Sequence, residues 1–122
     1  MAILAARKCT PLDAAELLRI LTQIDFAEDE IRRGELDKEL HTKIAKIADN
    51  PMIYSVLAAA DQLIENIIAG TRDYIMKKNR PEFKVDEQHR LLVEAIINND
   101  EKGAEQYMSE HMEIIEKCMD EM

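Results

Sequence analysis

Within the stretch Glu35-Leu36-Asp37-Lys38-Glu39-Leu40-His41, a carboxylate and an imidazole stand four positions apart. In a helix, Asp37 and His41 would be separated by about 40° of rotation and about 6 Å of rise, so both side chains could reach one ion. The chain has only two more histidines, His89 and His111, each in its own later helical segment. Asp37, His41, His89 and His111 together offer three imidazoles and a carboxylate, a donor set that suits zinc, nickel, iron or manganese. The same residues have an ordinary alternative. An Asp and His at i,i+4 can be a helix-surface pair worth roughly 0.2–0.5 kcal/mol, and a single histidine on an apolar face is more often a satisfied core residue than a ligand. Other chemistry has less support: there is no Gly-rich phosphate loop and no Ser or Cys nucleophile in a motif with a histidine. Only Asp86 and His89 show the acid-to-histidine spacing of three that a di-iron bundle needs on two helices.

The elements that must position these side chains are all helical. Met1 to Lys8 reads as the last turns of an apolar helix without a cap, as if its first part were truncated. Thr10-Pro11 starts a second helix, with Ala14, Leu17, Leu18, Leu21 and Ile24 at helical spacing. Its end is ambiguous, because Asp25 to Arg33 is mostly charged and Gly34 fits either a break or a helix interior. Leu36, Leu40, Ile44 and Ile47 form the stripe of a third helix, which Asp49-Asn50-Pro51 stops. From Ile53 to Ile68 a fourth helix carries the widest apolar face in the chain and is expected to be central; Lys77-Lys78-Asn79-Arg80-Pro81 ends it in a solvated turn. A fifth runs to Ile97 with His89, Leu92, Val93 and Ile96 on one face. Asp100 caps the last, whose stripe Met108, Met112, Ile115, Met119 and Met122 is expected to be core filler, with Tyr107, His111, Ile114 and Cys118 beside it. The pattern predicts a single all-α domain over residues 1–122, an antiparallel bundle of about six helices.

Composition narrows the function classes. With 122 residues the chain can bury one core without a disulfide or metal staple. A net charge of −9 argues against this chain gripping a nucleic-acid backbone, which needs clustered Lys and Arg. Cys9 and Cys118 form no CxxC motif or disulfide framework and are expected to be reduced core thiols. No apolar run approaches the roughly 20 residues of a membrane span, and Met1 to Lys8 is too short for a signal peptide, so a cytoplasmic location without membrane contact is expected.

Several short motifs, taken in order, resemble those of one family. They are Asp37-x-x-x-His41, Ile47-Ala-Asp-Asn50 at the close of that helix, His89-Arg-Leu-Leu-Val-Glu-Ala-Ile96, and Asp100-x-x-x-Ala104-x-x-x-Met108-x-x-His111. Over nearly its whole length the chain resembles the FCD domain, the ligand-binding domain of FadR-type regulators in the GntR family. The resemblance implies a non-enzymatic sensor whose central metal and effector cavity holds a divalent ion, zinc first among the candidates, on Asp37, His41, His89 and His111. It further implies a small organic acid effector, a homodimer, and DNA contact only through a separate winged helix-turn-helix domain. Arg72 and Asn50 are carried as candidate effector contacts. Two features depart from the family pattern: Gln88 stands directly before His89 where glutamate is usual, and the first helix is short. The competing readings are a metal-dependent hydrolase and a metal-free helical dimerisation module.

Overall fold

The computed structural model describes residues 1–79 and 83–122. Among them are seven helices and no strand: α1 (Ala2–Lys8), α2 (Pro11–Phe26), α3 (Glu30–Ala48), α4 (Pro51–Ala59), α5 (Asp61–Lys78), α6 (Val85–Ile97) and α7 (Glu101–Glu121). The all-α bundle expected from the periodicity is therefore present, with one helix more than expected. No single helix among the described residues is long and apolar enough to cross a membrane.

Local chemistry accounts for most helix boundaries. Thr10 and Asp13 exchange side-chain-to-backbone hydrogen bonds of 3.2 Å each, a reciprocal cap that fixes the start of α2 with Pro11 in its first turn. The ambiguous charged stretch resolves into a break after Phe26 and a new cap, the Asp29 carboxylate accepting from the Arg32 N–H at 2.8 Å. Gly34 then lies within α3. Asp49 stops that helix in the left-handed region at φ 51°, and Asn50 restarts the chain by accepting from the N–H groups of Met52 and Ile53. Asn79 closes α5 at φ 49°, while Arg80 and Pro81 of the expected basic turn lie outside the described residues. Asp100 caps α7 by accepting from Gly103 N–H at 3.0 Å.

The helix at the centre is α3. Leu36, Leu40, Ile44, Ala45, Ile47 and Ala48 are all buried on it, against α1, α2 and α5. Helix α1 reaches it because Ala2, Ala5 and Ala6 are small enough for close approach, and Lys8 Nζ donates to the Ala48 carbonyl at 3.0 Å. Asn99, left-handed at φ 56°, donates to the Ala6 carbonyl at 2.8 Å and ties α1 to the α6–α7 turn.

Three expectations are corrected here. The apolar stretch from Ile53 to Ile68 is neither one helix nor central: it breaks at Ala60, its halves are inclined by 68°, α4 buries no residue fully, and α5 buries only Thr71 and Arg72. On its apolar side Leu57, Ile64, Ile67 and Ile68 line a cavity, while Val56 and Leu63 are exposed. The methionine stripe of α7 is core only at its start: Met108 packs against the core, but Met112, Met119 and Met122 are exposed while Ala104, His111 and Cys118 are buried. The buried face lies one residue around the helix, because α6 presents His89, Leu92, Val93 and Ile96 to that side. Cys118 is a buried thiol as expected, but Cys9 sits at the α1–α2 junction and is only partly covered.

Candidate metal centre

Asp37 and His41 lie one turn apart on α3, and α6 and α7 bring His89 and His111 to the same place. Asp37 Oδ1 is 3.2 Å from His41 Nε2 and 3.4 Å from His89 Nε2. The rings of His41 and His111 stack at 5.3 Å between centroids, and His89 lies 4.8 Å from His111 and 5.5 Å from His41. One nitrogen from each of the three imidazoles falls within 4.8 Å of the others. Nitrogens sharing a zinc at about 2.0–2.1 Å stand no more than about 4 Å apart, so ring movements of about 1 Å suffice.

The donor chemistry fits an ion. His89 is fully buried, and neither ring nitrogen has a hydrogen-bond partner among the described residues; the nearby Asp37 oxygen lacks hydrogen-bond alignment. Leaving such a group unpaired costs about 1–3 kcal/mol, a penalty that coordination removes. Burial pushes the His89 imidazole down to about 3, with His41 and His111 adding to the effect against the attraction of Asp37. Burial likewise pushes His111 down to about 4. Both rings are neutral at pH 7 and present lone pairs without a competing proton.

Two contacts orient the donors. Burial disfavours ionised Asp37, yet the hydrogen bond from His41 and the permanent charge of the Arg72 guanidinium outweigh it and hold the carboxyl well below the usual range. Arg72, the permanent cation of the group, donates from Nε to Asp37 Oδ2 at 2.9 Å and leaves Oδ1 turned towards the imidazoles. Its other nitrogens lie 3.4 Å from Asp86 and 3.6 Å from Glu30. His111 Nδ1 is paired with Gln88 Oε1 at 3.0 Å. As the acceptor is an amide oxygen, Nδ1 carries the proton and Nε2 is left as the free donor atom.

Asp37, His41, His111 and Arg72 also line a cavity of about 350 Å³ between α3, α5 and α7. Asn50 is placed elsewhere, its side-chain oxygen committed to the α4 cap. The Gln88 contact was signalled in the sequence only as an unusual neighbour of His89; the Arg72–Asp37 pair, 35 residues apart, had no local signal.

Residues 1–114 match the family model of the FCD domain. The chain belongs to the FCD family. FCD domains are regulatory, non-catalytic effector-binding modules, and this chain is one of them. No curated protein matches it in sequence.

A consequence for acid stability follows. In metal-stripped protein, His89 and His111 titrate near 3 and 4 when folded and near 6.5 when unfolded. Between those values the unfolded chain binds more protons, so stability rises with pH and falls on acidification from about 6.5 towards 4, by about 1.4 kcal/mol per pH unit for each group. Asp37, depressed when folded, contributes stability that is lost only at still lower pH. Denaturant midpoints measured in chelator from pH 7 to pH 5 should fall steadily, and His89→Ala should flatten the slope.

Proposed function

We propose that this FCD domain is the sensor of a GntR/FadR-type transcription regulator, in which a divalent ion and a small organic acid together set the DNA affinity of a separate winged helix-turn-helix domain. The ion is held by Asp37, His41, His89 and His111, with zinc the first candidate and nickel, iron or manganese the alternatives. The observation that carries this reading is the convergence of three imidazoles from three helices, one of them buried with both nitrogens unpaired among the described residues, on the edge of a cavity of about 350 Å³.

Charge explains how a chain of net charge −9 draws an anion. Asp37 and Arg72 offset one another, Asp86 and Glu30 also pair with Arg72 but do not line the cavity, and His89 and His111 are neutral, so a bound dication is the main charge that an anion entering the cavity meets. An effector carboxylate completes that balance, with the terminal nitrogens of Arg72 at the cavity wall as a second contact. Asn50 serves the α4 cap and contributes to the site through the fold. The protein works as a homodimer in this reading. An acid that binds one arrangement of the two sensor domains better than another shifts the population towards it, and the attached reader domains respond.

Titrating a panel of carboxylic acids into metal-loaded and metal-stripped protein by calorimetry tests the proposal. Binding is expected only in the loaded form. Equal binding to both forms would show that the ion plays no part in recognition.

A further inference from the structure

Beyond its polar floor the cavity is walled by Leu57 of α4, Ile64, Ile68 and Ile75 of α5, and Ile115 and Met119 of α7. These residues are half-buried, apart from the more exposed Met119, whereas Asp37, His111 and Arg72 are almost fully buried. The space is therefore amphipathic along its depth, with charge and imidazole at the bottom and aliphatic side chains towards the mouth. Apart from the single hydroxyl of Thr42, the polar side chains on the same walls are already engaged. Lys38 is bound to Asp61 at 2.9 Å and to Glu65 at 3.3 Å, and the Thr71 hydroxyl donates to the Ile67 carbonyl at 2.8 Å.

Such walls discriminate among acids. A second carboxylate, or the hydroxyls of a sugar acid, would be desolvated against isoleucine without a partner, which costs more than a lost contact. A hydrocarbon body gains with each group buried. From Met112 to Met119 the apolar side of α7 runs about 10 Å, the reach of an alkyl chain of about six to ten carbons.

Resting on the proposed carboxylate-sensing site, we infer that the effector is a medium-chain aliphatic monocarboxylate: its carboxylate lies on the floor beside His41, His111 and Arg72, and its chain lies between α5 and α7. The methionine stripe of α7 has a role in this arrangement. Met112 and Met119 form a flexible wall that adapts to chains of different length.

The test is calorimetry on the metal-loaded chain with butyrate, hexanoate, octanoate and decanoate, alongside lactate, malate and succinate, with 1-octanol as the control that lacks a carboxylate. Affinity is expected to rise two- to fourfold per methylene up to about eight carbons, the upper figure corresponding to about 0.8 kcal/mol per buried methylene, with octanoate well above 1-octanol. Ile115→Asn should flatten the chain-length dependence while keeping the metal content of the parent, which also reports that the variant is folded. Malate, succinate or lactate binding more tightly than octanoate would overturn the aliphatic assignment and leave the sensing site standing. Octanol matching octanoate, or a chain-length series unchanged in Ile115→Asn, would also overturn it. Failure of every acid to bind loaded protein would overturn the carboxylate-sensing reading and this inference with it.

Discussion

His89→Ala is expected to abolish stabilisation by metal while leaving the metal-stripped fold close to the parent in stability. The two effects separate because His89 is fully buried and its ring nitrogens have no hydrogen-bond partner among the described residues. Truncation removes a polar group whose unpaired state costs about 1–3 kcal/mol, and it opens a hole costing a comparable amount, so the stripped variant changes little. In the parent, an ion present at a thousand times its dissociation constant contributes about 4 kcal/mol, which in a chain of this size raises the melting temperature by on the order of 10–20 °C. His89→Ala should lose that shift. His111→Ala should lose it too, since His111 supplies another of the converging nitrogens. Paired melts with chelator and with added zinc measure both quantities, and a full metal-induced shift retained in either variant would remove that histidine from the donor set.

Arg72→Met should show the opposite pattern. The side chains of Arg72 and Asp37 are 9% and 6% exposed and joined at 2.9 Å, so deleting the cation strands a buried carboxylate beside neutral imidazoles. Breaking a buried pair by removing one partner costs about 3–5 kcal/mol. Proton uptake by Asp37 limits the loss, and the methionine retains much of the aliphatic contact. An ion bound at Oδ1 restores a positive neighbour, so zinc should recover much of the lost stability. The stripped variant should therefore melt well below the parent and the loaded variant much nearer to it. Equal destabilisation in both states would mean that Arg72 and the ion do not share Asp37.

The contrast between these variants rests on contacts of very different legibility. The α3 stripe of Leu36, Leu40, Ile44 and Ile47 was plain in the spacing, as were the caps at Thr10, Asn50 and Asp100, because each depends on residues within one or two turns. The three histidines could be assigned to inward faces of separate helices for the same reason. The place of α4 and α5 in the bundle could not be read that way. Periodicity counts apolar residues but does not say whether a neighbour covers them, and the face from Leu57 to Ile75 borders a cavity. The methionines of α7 misled in the same manner, drawing attention from the buried line of Ala104, His111 and Cys118. Arg72 and Gln88 acquire their roles from Asp37 and His111, partners 35 and 23 positions away that only the assembled bundle supplies.

All three variants and the acid titrations depend on an ion being held where Asp37, His41, His89 and His111 meet. Elemental analysis of protein purified without chelator, repeated after reconstitution and dialysis, tests this directly. Roughly one divalent ion per chain is expected, removable by chelator and absent from the His89→Ala protein; no more than trace metal in the reconstituted parent would contradict the metal site and leave a helical module with three core histidines.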